Sequence, residues 1–157
     1  MMAELWRDIE RDLESSCRHF GKAIEGFARA LNVSDDEERY FRRAAFMHAM
    51  LAGYTSFENA MRRVTGLLDE TLPIGSDWHK SLIDRLAEPI EGRRPAILDS
   101  DRLLIAVDTL RGFRHVAIHA YDRFDEDRAA LAAAKAEVSV AEIGPALARF
   151  RAAIDPD

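Results

Sequence analysis

The 157-residue sequence has one cysteine and no apolar run near the roughly 20 residues that a membrane-spanning helix needs. Cys17 cannot form a disulfide within the chain, which fits the reducing cytoplasm. The N-terminal stretch MMAELWRDIERDLE is acidic from its first turn, unlike a signal peptide with a basic start and an apolar middle. We therefore expect a cytoplasmic protein with no membrane partner.

Segments with alternating polar and apolar residues, the pattern of a β-strand, are also lacking. The charge balance is acidic, with a net charge of −6, which argues against a dedicated nucleic-acid coat protein. It does not exclude an RNA-processing enzyme, because a few arginines can hold one phosphate. Hydrophobic residues still make up 48% of the chain, enough for a real core.

Apolar residues recur at helical spacing along almost the whole chain, as in the first segment from Leu5 to Leu31. We predict an all-α fold: an up-and-down helical bundle with two long antiparallel central helices and shorter helices around them. No repeat, low-complexity region or linker interrupts the pattern. Residues 1–157 should therefore form a single helical domain.

Capping signals set the expected helix boundaries. Ser34 followed by Glu37 predicts the start of a second helix, which can run to about Asp69. A short helix is expected over 77–87, and Asp99 or Ser100 should cap a further helix that ends near 121–124. A second capping box, from Ser139 to Glu142, predicts a restart in the last third, with a kink or delay at 144–145.

The stretch RGFRHVAIHAY, residues 111–121, puts several polar side chains into an otherwise apolar helix. Arg114, His119 and Tyr121 follow the spacing Arg-x4-His-x-Tyr, and His115 comes directly after the arginine. Histidine transfers protons well near neutral pH, and a guanidinium suits the charge that grows on a phosphoryl group. We assign acid/base work to His119, phosphate binding to Arg114, and a supporting role to His115.

Helix geometry limits how these residues can act together. Arg114 and His119 lie about 140° apart around a straight helix, so a single helix presents the pair poorly. Two copies crossing at a two-fold axis could form one composite cleft, which predicts a homodimer with the motif at its interface. His115 and His119 share a face and could bind a metal, but no third ligand is evident, so no metal or cofactor is expected.

The motif resembles the HEPN superfamily, specifically its HepT-like ribonuclease toxins. The upstream segment HAMLAGYTSFENAMRRV, residues 48–64, is similar to the central helix of that family, and the similarity spans about 34–125. The resemblance implies a metal-independent endoribonuclease, with Arg114 and His119 as its catalytic pair, whose active site forms in a homodimer. It also implies a toxin–antitoxin system, in which a partner nucleotidyltransferase (MntA-like) antitoxin transfers AMP onto Tyr121.

Further residues are candidates for the same site. Glu58 lies in helical register with Tyr54 and should point into the bundle, where an arginine or histidine of the motif helix is its expected partner. Arg111, one turn before Arg114, is the candidate for contacting the RNA backbone. His79 is expected to be a surface residue.

Two other interpretations stay open. Arg-x4-His alone is a weak pattern, and the chain could be a non-catalytic HEPN binding partner of a nucleotidyltransferase, because a fold does not establish an activity. It could also be a helical interaction protein in which the polar residues of the motif helix fix the alignment of two subunits in a dimer.

Overall fold

A computed structural model describes residues 1–119 and 123–156, and five helices account for most of them. In chain order they are α1 (Met2–Ala30), α2 (Asp36–Leu67), α3 (Trp78–Ala87), α4 (Asp101–His119) and α5 (Glu126–Ile154). No extended strand occurs in these residues, so the predicted all-α class is confirmed. Tyr121, the proposed modification site, lies outside the described residues.

Four of the helices form a closed bundle. α1 packs against α2 and α5, and α4 packs against the same α2 and α5, while α3 lies against α4. The short connection of residues 31–35 makes α1 and α2 antiparallel neighbours. Their buried side chains form one hydrophobic core that draws on all five helices. Among the described residues, no helix has the length and apolar character needed to cross a membrane.

The starts of the helices are fixed by side-chain caps. The Oδ1 atom of Asp35 accepts a hydrogen bond from the Glu38 amide at 2.7 Å, so the N-cap of α2 is Asp35, one residue later than the predicted cap at Ser34. The negative charge of a carboxylate at this position also interacts favourably with the positive end of the helix dipole. Ser100 caps α4 by accepting the Leu103 amide at 3.1 Å, as one of the two predicted alternatives.

α5 differs most from the sequence-based expectation. The predicted restart at Ser139 is wrong, because one helix of 29 residues continues through Ser139 and Pro145. Proline removes one backbone hydrogen bond from a helix interior. Apolar side chains on both sides of it are buried in the core and hold the helix in place; they are Ile143, Ala146, Leu147 and Phe150.

The loop between α3 and α4 is anchored by a buried arginine. Arg94 is 5% exposed, and its guanidinium binds both carboxylate oxygens of Glu70 while also donating to three backbone carbonyls. The ion pair, through its hydrogen bonds, lowers the pKa of the Glu70 carboxyl. All three guanidinium nitrogens of Arg94 therefore have hydrogen-bond acceptors, which offset the cost of burying the charge.

α1 and α2 are in close contact at Gly53. A Cβ atom built on Gly53 would lie 2.6 Å from Cδ1 of Phe20, which is inside contact distance. The Gly53 carbonyl also accepts a hydrogen bond from the buried Ser16 hydroxyl at 2.7 Å. The absence of a side chain at this position lets the two helices pack.

We predict that Gly53→Ala lowers the free energy of unfolding by about 1–3 kcal/mol, because the ring of Phe20 must move to admit the methyl group. Gly66→Ala is the matched control on the same helix, since nothing lies within 4 Å of its Cβ position. Its stability should be unchanged or higher by up to about 1 kcal/mol, from helix propensity. Urea denaturation measures both, and equal effects would contradict the close approach.

Candidate active site

The motif residues occupy two faces of α4. Arg114 is half-buried, whereas His115 and His119 are exposed. The two imidazole rings lie side by side, with centroids 4.5 Å apart and planes tilted by 52°. The structure thus separates Arg114 from the histidine pair, as the angle of about 140° between positions 114 and 119 requires.

Arg114 turns towards the bundle. Its Nε atom is buried and has no hydrogen-bond partner among residues 1–119 and 123–156. The fully buried Arg94 contrasts with it, because that guanidinium is held by Glu70. Arg111 is also engaged, since its Nε donates to Asp108 at 2.9 Å. Of these three arginines, Arg114 is the one whose Nε atom lacks an acceptor among the described residues.

Glu58 is buried on α2, as predicted, with 5% of the residue exposed. Its partner is different from the one expected. Oε2 of Glu58 is hydrogen-bonded to Nδ1 of His79 on α3, not to an arginine or histidine of α4. His79 is correspondingly half-buried, so the expectation that it is a surface residue is wrong. The pairing compensates a carboxylate that would otherwise be costly to bury.

Tyr54, one helical turn before Glu58, completes this polar region. Its ring is 1% exposed, and its hydroxyl has no hydrogen-bond partner among the described residues. Burial raises the pKa of the Tyr54 phenol most, and the charge and closeness of the Glu58 carboxylate raise it further, although the two groups do not meet hydrogen-bond geometry; the charges of Arg111 and Arg114 counteract the rise. The hydroxyl thus stays protonated, next to the carboxylate of Glu58 and within the field of both arginines.

A groove runs along the opposite flank of α4. Its volume is about 260 Å³, and α4 and α5 line it with Thr109, Gly112, Phe113, Val116, Arg128, Leu131 and Ala132. Leu131 at its edge is 53% exposed, and Ile105 on α4 is 55% exposed. Positions 112 and 119 differ by about 20° around the helix, so the exposed histidines border this groove.

No group of three or more potential metal ligands comes together in the part of the chain that the structure describes. His115 and His119 have the spacing of a helical metal pair, but no third ligand joins them there. The described side chains offer proton transfer and charge neutralisation, the chemistry of a phosphate-ester site.

Comparison with known proteins identifies the family of the chain. The family model described as HepT-like protein matches residues 45–154, more than half of the chain, including all of α3, α4 and α5. No curated protein and no solved structure matches the chain significantly. The helical fold and the family match together define a helical protein of the HEPN superfamily. Within that superfamily, the chain belongs to the HepT-like family.

The structure gathers some of the predicted residues and adds one. Tyr54 and Glu58 are buried one turn apart on α2 and Arg114 is half-buried on α4, while His115 and His119 stay on the outer face. His79 was missed as a member of this region. The sequence feature that could have identified His79 was the expected burial of Glu58, since a buried carboxylate requires a partner and α3 carries a histidine.

We predict that Tyr54→Phe leaves the free energy of unfolding unchanged or raises it by up to about 1 kcal/mol, because a buried hydroxyl without a partner contributes no hydrogen bond. The exposed Tyr40 supplies the control: Tyr40→Phe should have no effect. Thermal and urea denaturation measure both variants. A loss of more than about 1 kcal/mol in Tyr54→Phe would mean that the hydroxyl is hydrogen-bonded in the native state.

Proposed function

We propose that the protein is a metal-independent endoribonuclease, the toxin of a HepT-like toxin–antitoxin system. In this reaction the 2′-oxygen attacks the adjacent phosphorus while its proton passes to a base. The bond from phosphorus to the 5′-oxygen breaks, and an acid protonates that oxygen. The products are a 2′,3′-cyclic phosphate and a free 5′-hydroxyl.

The side chain of Arg114 is the observation that carries this proposal. It is half-buried in a family-matched helix, and its Nε atom lacks an acceptor among the described residues. A phosphodiester can accept hydrogen bonds from a guanidinium, and it gains negative charge in the transition state. His119, exposed five residues later, is the proposed acid/base group, and His115 beside it supports its position.

The proposal includes a homodimer. Arg114 and His119 point to different sides of α4, so two copies crossing at this helix would allow both residues to reach one RNA. The groove beside Gly112, together with the exposed Ile105 and Leu131, offers an apolar surface for the second copy. Small side chains at Thr109 and Gly112 would allow close helix approach.

We expect the purified protein to cleave RNA in excess EDTA, because no step uses a metal. His119→Ala and Arg114→Ala should each lower the cleavage rate by on the order of 100-fold or more. His48→Ala is the matched control, since His48 is an exposed histidine on another helix. Gel analysis of a defined RNA, with chemical identification of both product ends, measures the outcome.

Mixing the two inactive variants tests the composite site with the same assay. If one copy supplies Arg114 and the other His119, mixed dimers should regain part of the activity. A protein that sediments as a monomer at micromolar concentration, or mixtures that stay inactive, would contradict a shared cleft. Absence of cleavage by the native protein would support the alternative, a non-catalytic HEPN binding partner of a nucleotidyltransferase.

The family resemblance also supports regulation through Tyr121. AMP transferred to this residue by a partner nucleotidyltransferase would add a phosphate only seven residues after Arg114 in the sequence. The adduct would then compete with RNA for the guanidinium. Mass spectrometry after co-expression with the nucleotidyltransferase should find the adduct on the peptide of Tyr121, and Tyr121→Phe should abolish it. An unmodified peptide would contradict this part of the proposal.

A further inference from the structure

Two imidazole rings lie next to each other on the exposed face of α4. His115 and His119 are one helical turn apart, and both residues are exposed. Their ring centroids are 4.5 Å apart, and the ring planes are tilted by 52° instead of stacking face to face. Of the five histidines in the chain, these are the two at the spacing that lets one helix present both rings to the same point.

The separation of the rings fits one shared metal ion. Zinc binds an imidazole nitrogen at about 2.0–2.1 Å and prefers a tetrahedral arrangement, so two imidazoles on one zinc ion have ring centroids about 5 Å apart. The observed separation is 4.5 Å, and small rotations of two exposed side chains close the difference. The pair is therefore close to the arrangement that chelates a metal ion.

The imidazole rings also select the class of ion. Divalent zinc and its neighbours among the transition metals bind imidazole nitrogen, whereas magnesium and calcium prefer oxygen ligands. Histidines one turn apart on a helix bind zinc in several enzymes for this reason. No third side chain of the described residues joins the pair. The remaining positions around a zinc ion would thus be left to water, as in open zinc sites.

The other histidines lack these features. Nδ1 of His79 is already hydrogen-bonded to the carboxylate of Glu58. His19 and His48 have no histidine one turn before or after them in the sequence. A chelating pair is therefore specific to the motif helix.

We propose that His115 and His119 form a zinc-binding pair and that zinc bound there inhibits the ribonuclease. The inhibitory part of this inference rests on the proposed function. A neutral imidazole has one nitrogen with a free lone pair, and zinc occupies it, so the bound ring of His119 cannot accept a proton. The ion is an inhibitor in this scheme and not a cofactor of cleavage.

Binding of zinc by surface carboxylates is the competing explanation. The chain has a net charge of −6, and carboxylate oxygens are ligands for zinc as well as for other divalent ions. The two explanations differ in which substitutions weaken binding. Carboxylates elsewhere on the surface do not depend on either histidine of α4.

Isothermal titration calorimetry with zinc chloride compares the metal-free native protein with three variants, at mildly alkaline pH because the unprotonated imidazole binds metals. His115→Ala and His119→Ala should each bind zinc at least about 10-fold more weakly, since even the groups that orient a metal ligand contribute about 10–100-fold in affinity. His48→Ala is the matched control, because His48 is a single exposed histidine on α2, and it should bind zinc like the native protein. Thermal denaturation verifies that all variants are folded.

Nuclear magnetic resonance locates the bound ion. Zinc should shift the ring resonances of His115 and His119 and leave those of His19 and His48 in place, while magnesium should shift none of them. Equal affinity in the native protein and in all three variants would mean an adventitious ion only. That result, or ring shifts that spare His115 and His119, would overturn the inference.

Cleavage of RNA tests the inhibitory part separately. Zinc at a concentration that saturates the pair should lower the native rate by on the order of 10-fold or more, and excess EDTA should restore it. His115→Ala, measured against its own rate without zinc, should lose most of this inhibition. A native rate that is unchanged with zinc bound would overturn the inhibitory role. Zinc binding by the pair in a protein that cleaves no RNA would instead reject the ribonuclease proposal, together with its inhibition, and retain the metal site.

Discussion

A buried carboxylate is the constraint on which the polar interior of this bundle depends. Glu58 sits in the α2 core and cannot remain there charged without a partner. That requirement is met by His79, which fixes the side of α2 on which α3 lies. The ring of Tyr54, one turn earlier on α2, is buried as well. Two polar pairs thus interrupt the apolar core, Glu58 with His79 and Glu70 with Arg94.

Helical periodicity predicted most of the fold. The bounds of α2, α3 and α4 follow from apolar spacing and from capping residues, and the predicted ends differ from the structure by one or two residues where both are described. The error in α5 has a physical cause. Ser139 looks like a cap in isolation, but it is buried within a continuous helix, where packing against the core outweighs the local preference.

The candidate site was less accessible to sequence reasoning. Residues close in sequence, such as His115 and His119, could be placed relative to each other from the geometry of one helix. The pairing of Glu58 with His79 joins positions 21 residues apart across a turn, and no periodicity specifies how α3 docks. The expected burial of Glu58 indicates that the carboxylate has a partner, but the packing of the helices decides which residue that partner is.

The contact between α1 and α5 has a consequence for synthesis of the protein. Trp6 donates to Asp155 at 2.9 Å, and Arg151 covers its indole while also binding Glu10. α1 is the first of the five helices to leave the ribosome and α5 the last. The indole of Trp6 therefore has no native cover while the intervening helices are made. A bundle built this way is completed only when α5 packs against α1, after the four earlier helices have been made.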